Sequence, residues 1–550
     1  MPRRGEAPDW YKNAIIYGVD VGTFMDGDGD GVGDFRGLRA RLDYISSLGV
    51  TCLWILPCFP TPNNDNGYDI VDYSNVDRRL GTLGDFVAFM RDATSRGLHV
   101  MLDLVVHHSS NEHRWFKESR ADANSAKRDF YVWTDDPPDE TCAVLMFPDV
   151  EESIWARDDA AGAWYLHQFY DFQPDLNIED SELRDEIRNI LGLWIQLGAS
   201  GFRVDAASHM LGTEALRPET DRQPHEFLRF LRDTAEGFDG GTVLLAEADV
   251  EPDALVAYFG DGHEMHMLYN FVLDNYLFLA LARGTAAPVT HAWELLPDKP
   301  DTGQWVNFLR NFDELDLERL DDDERQDVYA AFAPDPDMRI YERGIRRRMA
   351  PMLGNDRQRL ELAYSLLMSM PGTPLIMYGD EIGMGENLDL DQRMSVRTPM
   401  QWSGDRNAGF STAPEDSLAT PIIAEGAFGY PKVNVVVQRR QRNSLLNWFQ
   451  RVVQVRRQSP ELGWGDFQPL DSGDDAVLAH RCDWEGGTIV AVHNLSDTCR
   501  HVEIAESDDL HGPVFEIFTS QEDGADEPDL GSIDLERYGY RWYRCGGIRL

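Results

Sequence analysis

Glu182 to Ala206 reads ELRDEIRNILGLWIQLGASGFRVDA, and this stretch decides the fold. Ile187, Ile190, Leu191, Trp194 and Ile195 recur at the spacing of one helical face. Gly198 closes that pattern, and the apolar run Gly201-Phe202-Arg203-Val204-Asp205-Ala206 follows as a strand. Side chains alternate along a strand with period two, so Arg203 and Asp205 point the same way. A guanidinium beside a carboxylate favours the ionised form and lowers its pKa, which suits a nucleophile. A buried structural ion pair is the other reading of these six residues.

The same unit occurs earlier. Asn13 to Phe24 reads as a first strand, Phe35 to Leu48 as a helix with Leu38, Leu42, Ile45 and Leu48 on one face, and Val50 to Leu56 as a second strand after Gly49. Thr82 and Asp85 open a helix bearing Phe86, Phe89, Met90 and Ala93, Gly97 closes it, and His99 to Val106 is a third strand. Further apolar strands are predicted at Thr242 to Ala248, Met265 to Val272, Trp305 to Phe312 and Thr373 to Tyr378. Eight such units predict an α/β protein built on a (β/α)8 TIM barrel. A doubly wound open sheet fits less well, because the first strand-to-helix turn has no phosphate-binding glycine fingerprint.

The rhythm is interrupted twice. Residues 109–178 are rich in aspartate, proline and aromatics and too long for an ordinary loop, so they are assigned to an inserted domain, leaving 1–108 and 179–460 as the barrel. From 461 to 550 short segments such as Thr488 to His493 and Tyr538 to Tyr543 alternate with turn residues, which predicts a C-terminal antiparallel β-sandwich.

Composition narrows the partners. The 550 residues are 42% hydrophobic and 11% aromatic, enough for a large core, and carry a formal charge of −45. A nucleic acid or an anionic membrane surface is excluded on charge. Lysine occurs only at positions 12, 117, 127, 299 and 432, so the acidity reads either as an adaptation to high salt or as a solvated surface in an arginine-rich composition. No signal peptide and no membrane-spanning run is seen, and the six cysteines lack metal-ligand or redox spacing, which predicts free thiols and a cytoplasmic protein. A homo-oligomer is compatible with the sequence, which does not fix the state. No organic cofactor is expected.

Polar residues collect at the C-terminal ends of the predicted strands, where barrels place their chemistry. These are Asp103 with His107 and His108, then Asp205, Glu247 and Asp313. Two carboxylates in different surroundings are what glycoside cleavage requires, one as nucleophile and one as an acid of raised pKa. Glu247 follows the apolar run Val243 to Ala246, which fits the acid; structural carboxylates around a barrel rim are the alternative. Asp26, Asp28, Asp30, Val32 and Asp34 lie in a glycine-rich loop with the alternating oxygens a hard cation prefers, although Gly37 at the twelfth position excludes an EF-hand. His107, His108 and His113 fit no helical zinc pair, and no cysteine joins them.

The set Asp103 to His108, Gly201 to Asp205, Glu247 and Asn311-Phe312-Asp313 resembles the conserved regions of the α-amylase superfamily, glycoside hydrolase family 13. Gln173-Pro174-Asp175-Leu176-Asn177, Gly67-Tyr68-Asp69, Gly379 to Met384 and Arg397 to Trp402 are similar to its oligo-1,6-glucosidase and trehalose synthase branch. Ile345 to Pro351 and Asn443 to Trp448 are most similar to the trehalose synthase, or maltose α-glucosyltransferase, type. The resemblance implies a retaining double displacement with Asp205 as nucleophile, Glu247 as acid/base and Asp313 as transition-state stabiliser. It implies that Arg203 orients the nucleophile, that Tyr68 is the stacking platform, that Asp69 and His108 bind the polar edge of the sugar, and that Phe312 and Arg397 belong to the same substrate-binding set. Ala206 resembles the α-1,4-acting members. A structural calcium is implied on the matching aspartates and the Val32 carbonyl, and the inserted segment corresponds to the family's domain B.

Two departures stand out: His107 where the family has asparagine, and Phe312 where it has histidine. Phenylalanine offers sugar hydroxyls neither donor nor acceptor, so either another side chain such as His107 substitutes or the favoured sugar differs at those hydroxyls. Three functions follow: isomerisation of maltose to trehalose by intramolecular glucosyl transfer, α-glucosidase or transglycosylase action with altered donor specificity, and, last, a non-catalytic binding protein.

Overall fold

A computed structural model describes residues 9–139, 141–147, 150–216, 224–504, 513–521 and 528–546; the predicted domains' remaining positions, including the first eight residues, lie outside the described residues. Eight parallel strands close into a barrel: β1 (Ile16–Val19), β2 (Cys52–Ile55), β3 (His99–Leu104), β4 (Gly201–Val204), β5 (Val243–Ala246), β6 (Met267–Tyr269), β7 (Gln304–Asn307) and β8 (Thr373–Met377). Each pairs with its neighbours in chain order, and β8 returns to β1. The strands are buried along their whole length, because helices cover the outside and side chains fill the inside.

The strands are shorter than their apolar runs suggest. β1 stops at Val19 because Asp20 caps a one-turn helix, Val21–Phe24, accepting from Gly22 N–H at 2.9 Å. β6 stops because Asn270 caps the helix Phe271–Arg283 through Leu273 N–H at 3.0 Å. The helix predicted over Phe35 to Leu48 is broken at Arg41 into Phe35–Ala40 and Leu42–Leu48. Ser181–Gln196 is one continuous helix capped by Asp180.

Between β3 and that helix, the inserted segment folds a helix, Arg114–Ala121, and a three-stranded antiparallel sheet with Ala163–Leu166 at its centre, between Trp133–Thr134 and Trp155–Asp158. A second excursion was not foreseen. After β7 the chain forms a small antiparallel sheet from Leu315–Asp316, Arg339–Ile340 and Gly344–Ile345 before the helix Arg357–Ser369 leads to β8.

At the C-terminus a five-stranded antiparallel sheet runs in the order Gln468–Leu470, Val477–Trp484, Gly487–Asn494, Tyr540–Cys545, Val514–Thr519. A two-stranded sheet, Arg500–Val502 with Ile533–Leu535, packs over one face of it around Val477, Val490, Val502 and Ile533. The other face joins the main core: Trp542 donates to Ser365 Oγ at 3.0 Å, and Leu478, Ile489 and Phe518 belong to the same cluster as the barrel.

Candidate active site

The C-terminal rim of the barrel sets the site. Parallel register places Asp103 on β3 beside Arg203 on β4, and Val204 beside Ala246 on β5, so Asp205 and Glu247 emerge next to each other. The backbone repeats the pairing: Asp205 N–H donates to Leu104 C=O at 3.1 Å and Glu247 N–H to Val204 C=O at 3.0 Å. Arg203 is buried and serves as a hub. Its Nη1 reaches Asp103 Oδ1 at 3.0 Å and also pairs with Asp205, while its Nη2 reaches Glu247 Oε1 at 2.6 Å. The rings of Trp54 and Tyr68 lie 5.6 and 5.9 Å from its guanidinium carbon.

One guanidinium therefore faces three carboxylates, which changes the expectation for Asp205. Burial pushes its carboxyl well up; Arg203 pulls it down, but Glu247 and Asp103 add to the rise. Asp103 is raised to about 6, again by burial first. The lowering predicted for an isolated arginine–aspartate pair does not hold here, because burial outweighs Arg203, which also faces two further carboxylates. Glu247 accepts from Arg203 and, at 3.1 Å, from the N–H of Ala206, whose φ of +47° is left-handed. Strained backbone of this kind clusters at functional sites. Both carboxylate oxygens of Glu247 are thus engaged as acceptors.

Opposite stands Asp313, which accepts from Arg393 Nη1 at 2.7 Å and Arg397 Nη2 at 3.0 Å. Burial raises its pKa, but Arg393, Arg397 and Arg203 outweigh that and hold it below the usual carboxylate range. Arg393 also pairs with Asp65 and lies 5.2 Å from the Tyr68 ring. Neither Arg393 nor Asp65 was found from sequence; their only signal is position, four residues before Arg397 and three before Tyr68.

Tyr68 and His108 line the cavity as expected, together with Asp205, Glu247 and Asp313. His108 is fully buried, and its Nδ1 lies 3.1 Å from Nδ1 of His107, so one ring donates and the other accepts. Burial lowers both imidazoles, His107 to about 4, and keeps them neutral. His107 is not in the wall: its Nε2 lies 3.0 Å from both His209 C=O and Gln168 Nε2 behind it.

Three expectations change. Asp69 does not reach the cavity; it accepts from Thr61 Oγ1 at 2.6 Å, Asn64 N–H at 3.0 Å and Asp65 N–H at 3.3 Å, and so builds the turn that presents Asp65. Arg397 is buried behind Asp313, with Nε on the Phe312 carbonyl at 3.2 Å. Phe312 itself, at φ +81°, turns its ring into the barrel, where it packs 5.5 Å from Trp54 and 5.6 Å from Tyr378. Gly18 makes the room, since a Cβ there would lie 2.5 Å from Phe312 Cε2. Asn311 and Asp313 on either side face the cavity instead.

The inserted segment contributes Met146, Phe147 and Phe169 to the wall, and the second excursion contributes Glu314, Asp316 and Arg343. In the loop after β1, Asp26, Asp28 and Asp34 bring carboxylate oxygens within 4.8 Å of one another. Asp30 does not join them; its Oδ1 accepts from Val32 N–H at 2.9 Å.

The family model described as alpha amylase, catalytic domain, matches residues 21–309 and 345–465, and one described as sucrose hydrolase-like, C-terminal domain, matches 486–544. The chain is 42% identical to a trehalose synthase/amylase TreS of Mycobacterium tuberculosis (strain ATCC 25618 / H37Rv), over 98% of this chain and 93% of that protein. It is 38% identical to a trehalose synthase of Pimelobacter sp. (strain R48), over 98% and 96%. A solved structure of a point mutant of the trehalulose synthase MutB superposes with a TM-score of 0.76 at 26% identity, covering 97% of this chain and 99% of that one.

Proposed function

Because the chain belongs to the α-amylase family, glycoside hydrolase family 13, we propose that it is a retaining α-glucosyl isomerase that converts maltose to trehalose through a covalent glycosyl-enzyme. The observation that carries this reading is the Arg203 hub, which gathers Asp205 and Glu247 at adjacent strand ends with Asp313 opposite. The named relatives supply the substrate class.

In the first half-reaction Asp205 passes its proton to Glu247 and, ionised beside Arg203, attacks C1 of the donor glucose through Oδ; the C1–O4 bond breaks, and O4 takes that proton from Glu247. In the second, the freed glucose presents its 1-hydroxyl, Glu247 takes that proton, the new C1–O1 bond forms and Asp205 leaves as a carboxylate. Since Glu247 is held on Arg203 and Ala206 N–H, its carboxyl leaves Arg203 to take up the acid role when the donor ring enters. Asp313, kept ionised by two arginines, holds donor hydroxyls and opposes the positive charge developing at C1. Tyr68 stacks beneath the ring, and His108, neutral and buried, offers Nε2, which has no hydrogen-bond partner among the described residues. Met146, Phe147 and Phe169 keep water from the intermediate, which separates isomerisation from hydrolysis. No described helix is long and apolar enough to cross a membrane. None of the six cysteines is joined in a disulfide, which fits a cytoplasmic enzyme.

The test is incubation with maltose and, separately, trehalose, following anomeric protons by NMR. Interconversion with little free glucose supports the isomerase; dominant glucose release makes the protein a hydrolase; no turnover of either points to another donor.

A structural calcium on Asp26, Asp28 and Asp34 belongs to the same reading. The all-oxygen donor set suits a hard cation, although Asp26 already accepts from Gly29 and Gly31 N–H at 2.6 and 2.9 Å. Such an ion would brace the loop beside β1 and take no part in the chemistry. Chelation should lower the melting temperature, and calcium but not magnesium should restore it; a melting temperature indifferent to chelator removes the ion from the account.

A further inference from the structure

One guanidinium in the cavity wall is unused by the chemistry above. Arg343 follows two successive non-glycine residues in left-handed backbone, Tyr341 at φ +52° and Glu342 at φ +56°, at the tip of the hairpin between Arg339–Ile340 and Gly344–Ile345. Side chains other than glycine adopt that conformation at a penalty, and a strained tip persists only where its surroundings hold it. Here the holder is aromatic: the Tyr341 ring lies 5.1 Å from that of Phe147, which stacks at 4.8 Å on Tyr170, so the tip is pinned to the inserted segment. Asp316 then fixes the guanidinium plane by accepting from Nε at 2.6 Å, with Glu314 3.7 Å from Nη2. Nη1 makes no protein hydrogen bond among the described residues, and the side chain is 22% exposed at the cavity wall.

The family match stops at residue 309 and resumes at 345, so the tip lies outside the portion shared with the family model. The ion pairs of Arg343 are with Glu314 and Asp316, separate from the Asp65–Arg393–Asp313 group at the donor end.

We propose that Arg343 is a specificity-determining residue that grips the departing glucose between the two half-reactions, and so sets the share of product that is disaccharide rather than free glucose. The inference rests on the isomerase reading above. A planar fork fixed on one edge can donate to neighbouring hydroxyls of a neutral sugar, and a sugar so held turns O1 toward C1 instead of diffusing out. Water gains nothing from the same contact.

The experiment uses the full chain with maltose, reading the trehalose-to-glucose ratio by NMR and the uptake of isotopically labelled free glucose into trehalose, and with p-nitrophenyl α-glucoside, reading nitrophenol release. Arg343→Ala should raise the glucose share about tenfold, the loss expected for one charge-assisted hydrogen bond, and should raise label uptake, nitrophenol release showing that the variant still folds and forms the glycosyl-enzyme. Arg343→Lys, a point charge without the fork, should restore little of the ratio. A ratio and label uptake unchanged in Arg343→Ala would overturn the proposal and leave the isomerase reading intact. If Arg343→Ala does not fold, Arg343→Gln carries the same test. Failure of the unaltered enzyme to make trehalose from maltose overturns the isomerase reading and this inference with it.

Discussion

Phe312 shows how a single residue can be misplaced by a motif. Its position between Asn311 and Asp313 predicts a side chain against the sugar, yet the left-handed backbone sends the ring into the barrel and leaves only its neighbours facing the cavity. Restoring an imidazole should therefore harm the protein. Phe312→His places a polar ring between Trp54 and Tyr378, and an unpartnered buried group there should cost about 1–3 kcal/mol of stability in a denaturant titration. Activity on maltose should fall with it; a rise would show that the imidazole reaches the cavity. Gly18→Ala should destabilise by about 1–3 kcal/mol through overpacking against the same ring, and Gly18→Ala combined with Phe312→Leu should recover part of that loss.

At the scale of elements, the rim depends on where strands stop, and capping side chains decide that. Asp180 starts the helix before β4, its carboxylate accepting from Leu183 N–H at 2.8 Å. Asp180→Ala should lower stability by about 1 kcal/mol in urea unfolding while leaving kcat/KM on an aryl α-glucoside unchanged, because Asp180, although on the rim side of the barrel, does not line the cavity. The two excursions act differently. They bring Phe147, Phe169, Glu314, Asp316 and Arg343 to one cavity. Their residues are adjacent in space and distant along the chain, which is why periodicity reveals the barrel and says nothing of the roof.

At the scale of the molecule, charge governs stability. Several buried carboxyls titrate high because burial disfavours their ionised form: Glu381, between the hydroxyls of Tyr17 and Tyr44, and Asp175 are each pushed up to about 7. Each binds its proton more tightly folded than unfolded, so this stabilisation is complete below the unfolded carboxyl range and is lost as pH rises through about 7. Asp313, lowered by its arginines, works in the opposite sense, and so do the buried imidazoles such as His107, whose neutral form folding favours below the unfolded histidine range. Above about pH 6.5, where an unfolded histidine has shed its proton, the raised carboxyls set the sign, so the melting temperature should fall as pH rises from about 6.5 to 8, as calorimetry can check. With a formal charge of −45, repulsion adds to the trend, so salt should raise the melting temperature at neutral pH. Full stability and activity in dilute buffer would remove the high-salt interpretation of the composition.

By itself the sequence determined the barrel, its interruption after the third strand, the C-terminal sheet and the placing of Asp205, Glu247 and Asp313 around one cavity. Helix-facing apolar periods, closing glycines and strand-end polar residues are local signals, and Arg203 and Asp205 lie two residues apart. Tertiary structure alone decided which way Phe312 faces, that Asp69 serves the turn while Asp65 serves the cavity, that Arg393 joins Asp65 to Asp313, and that Arg203 is shared among three carboxylates. Each of these depends on packing between segments far apart in the chain, where burial and the supply of partners, not spacing, set orientation and charge.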